Sequence, residues 1–266
     1  MSISAYDRVK TARDHKRPTA LDYITQIFTD FFELHGDRRY ADDSAVVGGV
    51  AYLEGRPVTV IAIERGHSTK ERVARAFGSP NPEGYRKALR LMRQAEKFRR
   101  PVICLIDTSG AYCGIGAEKR GQGQAIAENL MEMMTLQTPI ISILIGEGGS
   151  RGALALGVAD RVGMLENAVY AVISPEGCAS ILWKDAAKAD VAAANLKLTA
   201  QDALTLSVIE RMISETDLGQ PLFYAKLRKL LSEDLRQLTQ NDQLLQQRYD
   251  RFRRIGTPAW KKDTEQ

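Results

Sequence analysis

Two short runs, VICLID at 102–107 and PIISILI at 139–145, are apolar at nearly every position. Neither run alternates, so neither offers a face to water. Strands of this kind are covered on both sides, as in a parallel sheet packed between helices. Each run is followed by a glycine-rich turn and then by a helical pattern. A third apolar run, AVYAVIS at 168–174, leads into Ser174-Pro175, an N-cap and first-turn pair that predicts another helix. Strand, glycine loop and helix recurring in this order predict an α/β fold. The plan recurs but the sequence does not, and no Pro/Ser-rich linker divides the chain, so residues 1–266 are expected to form one domain.

The remaining elements fit that class. Residues 18–35 carry Leu21, Ile24, Ile27, Phe28 and Phe31 at helical spacing behind a Thr19/Asp22 capping signature, which predicts a helical segment within 1–35. Residues 45–66 read as a hairpin around Glu54-Gly55-Arg56. A helix between prolines spans 82–100, with Arg86, Arg90, Arg93 and Lys97 on one side and Ala88, Leu91, Ala95 and Phe98 on the other. Further helices are expected at 124–136 and from Ala153 through Asp160. A short capped helix with a strand is expected over 199–214, and a long helix over 221–254.

Net charge is only +4, from 37 basic and 33 acidic residues, which does not by itself imply a nucleic-acid partner. The basic faces at 86–97 and 248–262 read as solvated helix or, for the second, as a subunit contact; an anion-facing surface is the sharper alternative for the first. No RNA- or DNA-binding motif accompanies them. The N-terminus has no apolar core of a leader, and no stretch approaches the ~18 apolar residues of a membrane span. Cys104, Cys113 and Cys178 are odd in number and in no CxxC pair, which suits a cytoplasmic protein without a disulfide framework.

The usual side-chain chemistries find no foothold. His15, His35 and His67 have no partner at metal-ligand spacing, so no metal is expected on this chain. No serine sits in a G-x-S-x-G elbow. Glu118, Glu147 and Glu176 are isolated and read as caps or surface acids, and Cys113 as a small filler in a loop.

Glycine loops remain. In GEGGSRG, beginning at Gly146, Arg151 stands where a dinucleotide fingerprint needs its third glycine, and no P-loop lysine is in register. Two readings stay open. In one, the glycines are spacers for tight strand-to-helix packing. Alternatively, they bring main-chain N–H groups at a helix start close to a ligand, forming a cradle for a developing negative oxygen. A second glycine-rich loop, SGAYCGIGAE at 109–118, follows a neighbouring strand and favours a site.

Four strings, GDRRYADDSAVVGGVAYLEGRPV, SPNPEGYRKALRLMRQAEKF, DTSGAYCGIGAEKRGQGQAIAENLMEMM and GEGGSRGALALGVADRVGMLENAVYAVISPEGCASILWKDAAKA, resemble the α subunits of bacterial acetyl-CoA carboxylase carboxyltransferases, from about Thr19 to the last helix. The resemblance implies a crotonase/ClpP-like superhelix of β-β-α units with a long C-terminal helix. It implies transfer of a carboxyl group from carboxybiotin, carried on a biotin carboxyl carrier protein, to acetyl-CoA, giving malonyl-CoA for fatty acid biosynthesis. It implies a β subunit bearing a zinc ribbon in an α2β2 assembly, and biotin carboxylase as a further partner. Mapped here, Arg151 and Gly152 are the backbone N–H donors to the biotin oxygen. Gly110, Ala111, Tyr112, Gly114, Gly116, Gly148 and Gly149 line or support the pocket.

Two departures follow from the same comparison. The family carries glycine where this chain has Arg151, and P-G-A-Y-P-G where it reads Ser109 to Gly114. A positive φ at Arg151 would cost roughly 1–3 kcal/mol; a negative φ would leave the donor intact. The alternatives to an active α subunit are a paralogue that assembles with β without activity, or a crotonase-fold acyl-CoA hydratase or isomerase acting alone.

Overall fold

The computed structural model describes residues 3–256. In chain order the elements are α1 (Ala5–Ala12), α2 (Ala20–Ile27), β1 (Thr29–Glu33), β2 (Val46–Leu53), β3 (Arg56–Ile63), α3 (Thr69–Ala74), α4 (Pro82–Lys97) and β4 (Val102–Thr108). Then come α5 (Ile115–Lys119), α6 (Gln122–Thr135), β5 (Ile140–Gly149), α7 (Ser150–Leu154), β6 (Arg161–Leu165) and β7 (Val169–Ala171). The chain closes with α8 (Pro175–Trp183), α9 (Ala189–Leu196), α10 (Ala200–Thr205), β8 (Arg211–Ile213), α11 (Pro221–Thr239) and α12 (Leu244–Arg254).

The sheet runs β1-β2-β3-β4-β5-β6-β8. β1, β2 and β3 are antiparallel; from β3 onward every neighbour is parallel. All seven residues of β4 are buried, and so are the first nine of β5. The two unbroken apolar runs are therefore the central strands, as their composition requires. Helix α2 docks through an edge-to-face cluster of Tyr23, Phe223 and Tyr224, whose ring centroids lie 5.4 to 6.2 Å apart.

β5 forks. Ile141–Leu144 pair with β6, whereas Glu147, Gly148 and Gly149 pair with β7. The strand does not stop at residue 145, as its apolar run suggests. It continues through the glycines, because β5 bulges over residues 145–147 before its pairing with β4 resumes at Thr108 and Gly148, and β7 supplies new pairing on the other side.

Several expectations need correction. Residues 28–35 are not helical: α2 ends at extended Phe28, and β1 adds to the free edge of the hairpin, a tertiary demand that outweighs helical spacing. The strand within 168–174 is only Val169–Ala171, and β6 was not foreseen because its RVGML sequence carries a charge and a glycine. The helix after the glycines is Ser150–Leu154 rather than 153–160. The 221–254 helix breaks between Thr239 and Leu244. Phe98 is exposed rather than packed with Ala88, Leu91 and Ala95.

The basic faces are solvated only in part: Arg93 and Lys97 are exposed, as are Arg253 and Arg254, but the other arginines are engaged. Arg86 donates to Asp37 (2.7 Å) and to Arg120 O (2.9 Å), Arg90 to Gly36 O (3.0 Å), and Arg93 pairs with Glu132 (2.8 Å). Lys87, fully buried, pairs with Asp42. The bonds of Arg86 to Asp37, Arg90 to Gly36 and Lys87 to Asp42 fasten residues 35–43 onto α4, and Arg93 ties α4 to α6. In the last helix Arg248 is fully buried and donates to both oxygens of Asp160 and to the carbonyls of Met133, Leu136 and Thr138. Arg251 bonds to Glu210 and Val208 O. Residues 257–262 of that basic stretch lie outside the described residues.

Arg248→Met should lower unfolding stability by about 3–5 kcal/mol in urea titrations, since Asp160 and three carbonyls would lose their donor. A second expectation concerns acid. Burial pushes the Asp42 carboxyl up, but bonds from Lys87, the Gly36 N–H and His35 outweigh it and hold its pKa at about 2. A depressed carboxyl stabilises the fold above its unfolded pKa and loses that contribution as pH falls. Asp42→Asn should therefore flatten the stability curve between about pH 4 and about pH 2.

Candidate active site

At the end of β5 the chain turns abruptly into α7. Gly149 is extended (φ −90°, ψ 123°), and Ser150 is left-handed at φ +56°. Arg151 is not among the residues with positive φ, so the arginine in the family's glycine position carries no left-handed strain. Its side chain is exposed. The strain sits one residue earlier, on Ser150.

The glycines are explained by close backbone packing. A Cβ on Gly149 would collide with the carbonyl of Ser109. One on Gly152 would collide with Ala111 N and come within 2.9 Å of Tyr85 Oη. The two glycine-rich loops thus touch main chain to main chain. That is the tight-packing reading, and it coexists with the second. A helix opening at Ser150 has no carbonyl one turn back for its first N–H groups. Among the described residues, neither the Arg151 nor the Gly152 N–H donates to any acceptor. The Ala111 N–H, facing Gly152, makes no hydrogen bond either.

The neighbouring loop is held from several sides. Gly110, at φ +147°, exchanges hydrogen bonds with Thr108: its N–H donates to Thr108 Oγ1 (3.0 Å) and its carbonyl accepts from that hydroxyl (2.9 Å). The Tyr112 N–H donates to Pro80 O (3.0 Å), and Gln122 Nε2 bridges Pro80 O and Tyr112 O. Buried Tyr85 donates to Gly152 O (3.2 Å). In front of these groups lies a cavity of about 370 Å³, lined among others by Ala111, Tyr112, Glu118, Leu130, Arg151 and Gly152.

The predicted residues divide. Ala111, Tyr112, Arg151 and Gly152 share this cavity. Gly148 and Gly149 line a separate one of about 60 Å³, with Arg13, Ser109 and Ser174; Ser150 borders both. Gly110, Gly114 and Gly116 line neither. Gly114 lies against the Tyr112 ring and caps α5, and Gly116 is the second residue of that helix. Cys113, read as a filler, is exposed on the wall of the larger cavity.

Sequence reading missed a buried charge network behind the turn. Asp107 is buried at the end of β4 and accepts from Arg65 (3.0 Å) and the Glu147 N–H (2.8 Å). Burial raises its pKa, against the pull of Arg65. Glu147 is buried, not a surface acid, and pairs with Arg13 (2.7 Å) and Arg65 (3.6 Å). Glu176 also pairs with Arg13 (2.7 Å). Burial weighs against the Arg13 charge, but bonds to Glu176 and Glu147 outweigh it and hold the guanidinium protonated. The available signal was an acid set between glycines in Gly146-Glu147-Gly148, which spacing alone did not connect to residues 13, 65 and 107. The histidines serve elsewhere: His35 bonds to Asp42, and His67 to Asp22. Ser150 has no hydrogen bond to either.

Comparisons with known proteins add to this geometry. Residues 1–256 match a family described as acetyl co-enzyme A carboxylase carboxyltransferase-like. A protein of Ruminiclostridium cellulolyticum, named acetyl-coenzyme A carboxylase carboxyl transferase subunit alpha, is 59% identical over 96% of this chain and 98% of its own length. Proteins of the same name from Shouchella clausii and Clostridium perfringens are each 56% identical over 96% of this chain, covering 81% and 96% of their lengths. Among solved structures, the transcarboxylase 12S core superposes with a TM-score of 0.66 at 22% identity, over 83% of this chain and 42% of that one. The Pseudomonas aeruginosa geranyl-CoA carboxylase β subunit gives 0.66 at 16% identity, over 93% and 45%. These likenesses establish the fold, the crotonase-like α/β architecture that the resemblance implied.

Ser150→Gly should change stability by less than about 1 kcal/mol, since relief of the left-handed strain offsets the added freedom of glycine. Ser150→Val should lower it by about 1–2 kcal/mol, because a β-branched residue resists positive φ. Thermal unfolding of both variants checks the pair.

Proposed function

The chain belongs to the acetyl co-enzyme A carboxylase carboxyltransferase family, and from that premise we propose that the Ser150 turn is where its carboxyl transfer takes place. The protein is the α component of a carboxyltransferase. In the proposed reaction a carboxyl group passes from carboxybiotin on a carrier protein to acetyl-CoA, giving malonyl-CoA. The Arg151 and Gly152 N–H groups donate to the ureido oxygen, on which negative charge collects as the carboxyl group leaves. Ala111 lines the same cavity. Fixed donors of this kind need no reorganisation as charge develops, which is why backbone groups serve well. The ureido anion left behind takes the acetyl proton, so no side-chain base is required.

The observation that carries this reading is the pair of unengaged N–H groups at the wall of a cavity whose 370 Å³ suits a small-molecule ring. Arg151 supports it further: with its side chain exposed and its φ negative, the arginine keeps the donor that glycine would offer. A β subunit with a zinc ribbon, in an α2β2 assembly, is proposed to supply the matching cradle for the acetyl-CoA enolate. Exposed Val172, Ile181 and Leu182, adjoining the smaller cavity through Val172 and Pro175, favour a covering subunit. Cys104, Cys113 and Cys178 are free thiols, in keeping with a cytoplasmic setting. Among the described residues no helix is long and apolar enough to cross a membrane.

The test is decarboxylation of malonyl-CoA by the reconstituted α/β complex with a biotin analogue. Gly152→Ala should cut kcat by about a hundredfold, because a Cβ there displaces the cradle from the 110–111 main chain. Arg151→Ala keeps its N–H and should lose less than about threefold, against the 10²–10³ typical of a deleted donor. A large loss in Arg151→Ala with little in Gly152→Ala would overturn the backbone reading.

A further inference from the structure

Arg13 caps α1, yet its guanidinium reaches the end of β5. Nε donates to Glu147 Oε1 (2.7 Å) and Nη1 to Glu176 Oε1 (2.7 Å), so it fastens α1, β5 and α8 together. Glu147 is gripped at both ends. Asp107 takes its N–H (2.8 Å), and Arg13 and Arg65 take its carboxylate. Three residues further on, the chain makes its strained turn at Ser150.

The two buried acids are matched by two cations only with Arg13 present. Asp107 and Glu147 are two buried acids, and Arg65 is one cation between them. Arg13 is the second. Its other acid, Glu176, is more exposed and also accepts from Tyr6. Nearby Arg17 is committed to Glu215 (2.7 Å) and to Ile145 O (3.1 Å), and Tyr23 faces it. Glu64 is occupied by the N–H groups of Leu21 and Gly66. No spare cation remains among the described groups to replace Arg13.

We propose that Arg13 is a positioning residue for carboxyl transfer: by holding Glu147 it holds the Gly149–Ser150 turn in the conformation that aims the Arg151 and Gly152 N–H groups into the cavity. The proposal rests on the reading of that turn as the reacting site. Arg13 touches no reacting atom, and its effect belongs on kcat.

Loss of the Arg13 charge leaves Asp107 and Glu147 sharing Arg65. Burial already pushes the Asp107 carboxyl upward. Proton uptake by one of the two acids then relieves their repulsion. The sign follows: such a variant is best ordered at low pH and loses activity as pH rises through the raised carboxyl pKa. The wild-type protein, with its charges matched, lacks that limb.

The experiment uses the α/β complex and biotin-dependent malonyl-CoA decarboxylation. Arg13→Gln should lower kcat by about ten- to a hundredfold near pH 8, with KM for malonyl-CoA and for the biotin analogue each within about twofold of wild type. The deficit relative to wild type should shrink several-fold toward about pH 6. Arg13→Gln combined with Glu147→Gln, which removes the uncompensated acid, should recover most of the loss at high pH. Arg13→Lys keeps the charge without the forked geometry and should lose kcat without gaining the pH limb; it decides the matter if Arg13→Gln fails to assemble. Wild-type kcat in Arg13→Gln at every pH overturns the proposal. So does a loss equal at every pH that the double variant does not repair, or an Arg13→Lys protein indistinguishable from wild type when Arg13→Gln cannot be assembled. Gly152→Ala separates the two levels: if it stays active, the reading of the site falls, whereas if it is inactive and Arg13→Gln is normal, only the role of Arg13 falls.

Discussion

The structure depends on main chain lying against main chain where β5 leaves the sheet. Gly149 sits against Ser109, and Gly152 sits against Gly110 and Ala111, at separations that admit no Cβ. This contact fixes the Ser150 turn against the loop after β4. It also explains how a five-residue helix can offer aimed donors. Such a helix has little macrodipole of its own, and the local N–H groups at its first turn are what matter. Extended pairing with β7 on the far side of Gly148 and Gly149 leaves the turn little freedom.

Arginines do most of the fastening around this frame. Arg13 and Arg65 hold the acids behind the turn, Arg86 and Arg90 bind the 35–43 segment to α4, and Arg248 anchors the last helix in the core. A planar fork of donors can satisfy a carboxylate and several carbonyls at once, which suits arginine to buried cross-links. The near-neutral balance of the chain fits this use: these arginines are paired internally rather than gathered for a polyanion. Basic periodicity on a helix therefore says little about partners until its acceptors are known.

How much of this could be read beforehand differs by element. The central strands, the hairpin, α4 and the Ser174 and Thr199 caps were legible, because local chemistry and tertiary demand agree there. Phe28 to His35 misled, since helical spacing yielded to an open strand edge. The break before Leu244 follows Gln240-Asn241-Asp242, residues that prefer turns, and went unnoticed inside an apolar period. At the site, Arg151, Gly152, Ala111 and Tyr112 line one cavity. Gly148 and Gly149 line a different one, which could not be foreseen, because the side of a strand that a glycine faces leaves no mark in sequence. Nor could Arg13, Arg65, Asp107 and Glu147 be joined, since their contacts span up to 134 residues.

The position of the ureido oxygen tests the account most directly. A crystal structure of the α/β complex with biotin bound should place that oxygen about 3 Å from the Arg151 and Gly152 nitrogens, with the Arg151 side chain turned away from the ring. A ring bound elsewhere, or those two nitrogens engaged by protein carbonyls while biotin is present, would contradict it.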